Sequence, residues 1–244
     1  MIEVTQTIYS WPREHIGVVD STFALKSMNL ISQQLFSVAI SPYGPVDQRW
    51  TCDFNLPPKE AASWRQLSGF ISRLKGTAGL LRLSDPMRLR PAYDLEVSPT
   101  LTDFTDSTEF TDGTGFVDGY LPSFITLDQA ACAGDRSIVV RGLPASAPSV
   151  IRMGDLMEAR PNGIPTAYGN LYECVNNAST NASGKVRIYI EPGLRRDLAA
   201  GDMIVLRNPT TVFRLAKDDA GVVSRSLPSI GRIGLSLVEE VREI

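Results

Sequence analysis

Arg49-Trp-Thr-Cys-Asp-Phe-Asn-Leu56 alternates without a break. Trp50, Cys52, Phe54 and Leu56 fall on one side; Thr51, Asp53 and Asn55 fall on the other. Period-two alternation means a strand with one buried face. Upstream, Leu35 to Ile40 is the expected partner, with Ser41-Pro-Tyr-Gly-Pro45 as turn chemistry between the two. Downstream, Pro57-Pro58 ends the strand and suits the start of a helix. The spacing predicts that helix over Lys59 to Lys75, with Trp64, Leu67, Phe70, Ile71 and Leu74 forming one apolar core stripe and Gly76 as the stop. Gly79 to Ser84 then reads as a strand closed by Asp85-Pro86.

Further out the character changes. Phe104-Thr-Asp-Ser-Thr-Glu, Phe110-Thr-Asp-Gly-Thr-Gly and Phe116-Val-Asp-Gly-Tyr-Leu are three copies of a six-residue unit, with no Lys or Arg between Arg90 and Arg136. Such a segment cannot build a core by itself. It reads as an extended arm that docks its rings at regular intervals. Short strands follow at Ser137 to Val140, Leu171 to Val175, Val186 to Ile190 and Met203 to Leu206. Met153-Gly-Asp-Leu-Met157 rhymes with Ala200-Gly-Asp-Met-Ile204, each a Gly-Asp turn leading into a strand. Short strands with such turns point to a small antiparallel barrel or sandwich. After Pro209, Thr211 to Ala216 and the alternation of Ile233, Leu235 and Leu237 give two more strands. The expected organisation is residues 1–100 with 209–244 as one domain, 101–122 as the acidic arm, and 123–208 as an inserted β domain.

The chain of 244 residues is 43 % hydrophobic and 21 % charged with a formal charge of −3. That balance is ordinary for a globular protein and gives no electrostatic case for nucleic acid. The first residues show no basic region followed by an apolar run, so no signal peptide is expected, and no apolar stretch approaches a membrane span. Cys52, Cys132 and Cys174 are odd in number and widely spaced. They read as buried reduced thiols of a protein made in a reducing cytoplasm. Asn177-Ala-Ser179 and Asn181-Ala-Ser183 match a glycosylation sequon but read as a polar turn.

Catalytic chemistry is sparse. His15 is the lone histidine, beside Arg13 and Glu14, and nothing nearby completes a triad. Gly134-Asp-Arg-Ser137 lacks the lysine and spacing of a phosphate loop. Asp94 and Glu96 are the first carboxylate pair to test for a hydrolase, against a reading as solvated surface charge. The Asp-rich hexads do not follow the Ca²⁺-loop pattern and read as a solvated acidic linker with Phe anchors. No cofactor is expected. Arg82, Arg88 and Arg90, with Arg73 and Lys75, are the one local basic cluster.

The string from Gln48 to Pro91 combines Arg49-Trp50 opening a strand, Leu56-Pro-Pro58, a helix carrying Trp64, Leu74-Lys-Gly76, Leu80-Leu-Arg-Leu83 and Asp85-Pro-Met-Arg-Leu-Arg-Pro91. It resembles tail-tip proteins, distal or minor tail proteins, of long-tailed bacteriophages. The Phe-x-Asp-Gly hexads and the later Gly201-Asp202 strand followed by Phe213-Arg-Leu215 extend the resemblance over most of the chain. It implies a mainly β, tail-tube-like split β-barrel with one packed α-helix and an inserted small β domain. It also implies a homo-oligomeric ring, commonly a hexamer, in the virion. Its expected partners are copies of itself, the tail-tube protein, the baseplate hub protein and the tape-measure protein. No nucleic-acid specificity, membrane insertion or catalysis goes with it. The expected interface joins Phe104, Asp106, Glu109, Phe110, Asp112 and Phe116 of the arm to Arg82, Arg88 and Arg90 of a neighbour. Two rival expectations are a host-glycan module using exposed Tyr168 and Tyr172, and a small cell-wall hydrolase.

Overall fold

The structure, a computed structural model, describes residues 7–11, 20–33, 40–59, 61–96, 121–161, 169–218, 224–226 and 230–241. In chain order the elements begin with β1 (Ile8–Ser10), β2 (Asp20–Gln33), β3 (Ile40–Lys59), α1 (Ala61–Leu74), β4 (Leu80–Leu83) and α2 (Ala92–Glu96). Next come β5 (Phe124–Leu127), β6 (Ser137–Arg141), β7 (Leu156–Arg160), β8 (Asn170–Cys174), β9 (Lys185–Glu191) and β10 (Met203–Val205). The chain closes with β11 (Thr211–Leu215), β12 (Ser224–Ser226) and β13 (Ile230–Glu239). It divides into two compact units, Met1–Pro86 with Thr210–Ile244, and Met87–Pro209. The boundary therefore falls at Pro86 rather than near residue 100. Residues 87–96 bond within the second unit: Arg88 reaches Glu173, and Ala92 N–H donates to Asp155 Oδ1 at 2.8 Å.

The first unit is a seven-stranded sheet in the order β1-β4-β11-β13-β3-β2, with β12 also on β13. The alternating strand behaves as read: Trp50, Cys52, Phe54 and Leu56 are buried. Its partners differ from expectation. β2 runs beside it on one edge, from Asp20↔Asn55 to Gln33↔Ile40, and β13 on the other. Residues 35–39, most of the expected partner strand, lie outside the described residues. Ser41 to Pro45, expected as a turn, lies inside β3, where Pro42 pairs with Ile31 and Pro45 with Asn29 beside register shifts. Proline is tolerated there because that part of β3 needs partners on one edge alone. Pro57-Pro58 does not end the strand, which continues to Lys59 past another register shift.

In α1, Leu67 and Leu74 are buried and Phe70 and Ile71 half-buried; the Trp64 side chain lies outside the described residues. Trp11 links the helix to the sheet, with its ring 5.8 Å from Phe70, edge-on, and 5.7 Å from Phe54.

The second unit is a closed six-stranded antiparallel barrel, β10-β5-β6-β9-β8-β7. It has an internal twofold. β5-β6-β7 and β8-β9-β10 correspond in register: Met203↔Thr126 and Ile204↔Ile125 match Leu156↔Glu173 and Met157↔Tyr172. The isolated bridges match too, Ala131↔Leu198 with Ala178↔Ile151. The rhyming turns are twofold mates. Asp155 Oδ2 accepts Arg152 N–H at 2.7 Å, and Asp202 Oδ2 accepts Ala199 N–H at 2.8 Å. Gly154 and Gly201, at φ 92° and 93°, take the left-handed position such a turn requires. A third copy, unread in the sequence, precedes β6, where Asp135 Oδ2 accepts Cys132 N–H at 2.8 Å beside Gly134 at φ 90°.

Candidate functional site

The acidic arm, Phe104, Asp106, Glu109, Phe110, Asp112 and Phe116, lies outside the described residues, as do His15 and Tyr168. The expected basic partners fall in different units. Arg82 belongs to the first unit and donates from Nε to Thr210 Oγ1 at 2.7 Å. Arg88 and Arg90 belong to the second. Arg88 Nη1 donates to Glu173 Oε1 at 2.8 Å and to Gly154 O at 3.3 Å, while Arg90 is exposed. Arg73 lies over the Tyr9 ring, 4.8 Å from its centroid.

Three local readings change. Tyr172 is buried inside the barrel, where its hydroxyl accepts Arg195 N–H at 3.0 Å, so it presents no ring to a sugar. Cys132 is exposed, whereas Cys52 and Cys174 are buried; burial pushes the Cys174 thiol up to about 11 and Cys52 higher still. Asp94 is not solvated surface charge. Its Oδ1 accepts Leu121 N–H at 2.7 Å and its Oδ2 accepts Arg207 Nε at 3.2 Å.

The barrel's twofold explains that burial. Arg160 and Arg207 occupy equivalent positions on β7 and just past β10. Arg160 is held in a fork by Glu158, with Nε at 2.6 Å and Nη2 at 2.7 Å, and the Glu158 side chain is fully enclosed. Val205 stands where the second half would carry the equivalent carboxylate, and pairs directly with Glu158. Asp94, delivered by α2, serves Arg207 instead. A buried carboxylate needs such a partner to offset its desolvation.

In the first unit an open cleft of about 430 Å³ is lined by Arg49, Arg214, Val238, Glu239, Glu240 and Val241. Its charges are engaged locally. Arg214 pairs with Glu240 and donates to Thr77 O at 3.3 Å, and Arg49 Nε meets Asp47 Oδ2 at 2.6 Å. Glu239 is buried and accepts Trp50 N–H at 3.1 Å and Thr211 Oγ1–H at 3.1 Å. A side-chain carboxylate thus takes over where the β13–β3 ladder stops at Val238↔Thr51.

Beyond that point the sheet becomes a ribbon. From Ile40 to Trp50, β3 has β2 as its one strand neighbour among the described residues, down to Leu25↔Trp50. The eleven residues of β3 in this stretch extend roughly 36 Å at strand rise. Two strands alone are marginal in water, and such a ribbon gains from packing on another surface. The sequence masked this feature because Pro42, Gly44 and Pro45 mimic a turn. Among the described residues no three His, Cys, Asp or Glu side chains group as a metal site, and no helix is long and apolar enough to cross a membrane. No protein-family model matches this chain, and comparison with curated proteins finds no match.

Proposed function

We propose that this chain is a non-catalytic structural subunit of a long-tailed bacteriophage tail tip. In this reading its copies form a ring that joins the tail tube to the baseplate hub, made in the host bacterial cytoplasm and carried in the virion. The observation that supports assembly is the β2–β3 ribbon, in which β3 from Ile40 to Trp50 has β2 as its one strand neighbour among the described residues. A ribbon of that length gains stability by lying on a neighbouring subunit, and a head-to-tail contact of that kind closes into a ring when its rotation divides the circle. The tail-tip identity, and with it the tube-like split barrel for the first unit, rests on the resemblance carried by Gln48 to Pro91.

The test is the mass of the purified protein in solution, alone and with the tail-tube and hub proteins, backed by images of any rings. Rings, commonly of six, are expected. A chain that remains a monomer with both partners present refutes the reading. Shortening the ribbon between Leu30 and Tyr43 should weaken rings while leaving the melting of the barrel unchanged.

A further inference from the structure

The outer face of β6 and β9 carries Arg141, Arg187, Val139 and Tyr189, with Val175 beside Tyr189 through the bond from Val175 N–H to Tyr189 O at 3.0 Å. Arg141 and Arg187 are exposed, Tyr189 is 48 % exposed and Val175 38 %. Acids near this face are already taken. Asp128 is held by Lys185 at 2.9 Å and Glu191 by Arg136 at 2.6 Å. Arg141 has a hydroxyl partner, Thr126 Oγ1 at 3.3 Å, and Arg187 has no ion pair among the described residues. Among the described residues the face therefore presents two guanidiniums with no carboxylate partner, beside an aromatic ring and aliphatic side chains. Its complement is an anionic strip with apolar rings.

That strip is in the sequence. Residues 101–120 hold Asp103, Asp106, Glu109, Asp112 and Asp118 around Phe104, Phe110 and Phe116, with no Lys or Arg. We propose that the β6–β9 face is the docking surface for these hexads from a neighbouring copy of the chain. The inference rests on the assembly reading and replaces Arg82, Arg88 and Arg90 as the basic partner. Charge complementarity selects the strip, and stacking of Phe on Tyr189 and Arg187 anchors it. Scale favours a neighbour over the same subunit. The five paired positions from Ser137 to Arg141 make a face roughly 17 Å long at strand rise. Phe104 to Phe116, extended, spans about 40 Å. One face holds about one hexad and each copy has one face, so one hexad of each arm docks and the rest of the arm supplies the reach to a neighbouring copy.

Two charge-reversed full-length chains test this. One carries Arg141→Glu and Arg187→Glu; the other carries Asp106→Lys, Glu109→Lys and Asp112→Lys. Association is read by sedimentation at low salt, with the tail-tube and hub proteins present, and melting curves check that both chains fold. Each variant alone should associate at least tenfold more weakly than the parent. An equimolar mixture should recover parental association, because each chain's face then meets the other's arm. Either variant associating like the parent overturns the proposal. So does a mixture that stays weak while one chain carrying all five changes recovers, since that places the arm on its own subunit. Rings that ignore every substitution leave the assembly reading standing; a parent that never leaves the monomer ends both.

Discussion

Gly169 lies so close to Glu158 that a Cβ there would fall 2.2 Å from Cγ and 2.5 Å from Oε1. Glu158 cannot step aside without releasing the fork to Arg160. Gly169→Ala should therefore destabilise by about 1–3 kcal/mol, the usual cost of overpacking. In a denaturation cycle with Glu158→Ala the two changes should be clearly non-additive, because they share one clash. Asp155 gives a pH signature. Burial raises its carboxyl above the ordinary value, more than its bonds from Arg152 and Ala92 N–H lower it. The folded state then holds this proton more tightly than the unfolded chain. Stability from this group is present at acid pH, falls as pH rises from about 4 through the raised value, and stays lower above it. Melting temperatures of the parent and Asp155→Asn, compared pH by pH, should show the parent losing ground over that window and a constant offset beyond it. Gly169 does not stand out in the sequence, and Asp155 stands out there as a turn residue with no sign of its burial. A glycine pressed on a carboxylate and a buried turn aspartate look like any others until strand partners bring them together.

At the scale of elements, legibility follows periodicity. The alternation of Trp50, Cys52, Phe54 and Leu56 locates β3, and the same pattern in Leu235 and Leu237 locates β13. The stripe in α1 places Leu67 and Leu74 correctly in the core. Each replaced by Ala should cost about 2–5 kcal/mol by chemical denaturation, and Phe70→Ala less than its size suggests because that ring is half-buried. If Leu74→Ala melts like the parent, the helix packs differently from the described geometry. What misleads is punctuation. Proline at 42 and 45 reads as a turn and at 57 and 58 as a strand end, whereas 45, 57 and 58 sit beside register shifts in the ladder and 42 lies on a stretch of β3 paired along one edge among the described residues. The Gly-Asp rhyme is visible in the sequence, yet the twofold behind it is not. The two halves share turns and register while their side chains differ, as Glu158 and Val205 show.

For the whole molecule, the second unit is spliced into a hairpin of the first. β4 and β11 are antiparallel neighbours with Leu83 directly opposite Thr211, and Asn208 N–H meets Leu89 O at 2.7 Å. Each unit thus has its ends side by side, the condition for tolerated insertion. Replacing residues 87–209 by a short Gly-rich turn should leave a first unit that unfolds cooperatively by circular dichroism. Residues 87–209 should do the same alone. Failure of both pieces would mean the units share one folding transition.

That splice sets a timetable on the ribosome. β4 is complete once Leu83 has emerged, but Thr211, its partner on one edge, is still unmade. At roughly 5–20 residues per second the gap lasts on the order of ten seconds. Throughout it Leu80, Leu81 and Leu83, which end buried, lack the strand that covers that edge. The barrel is translated within the same interval, and its closing strand β10 is made just before β11, so the two units reach completion together. The open edge of β4 is then the point at which slowed translation would most increase aggregation.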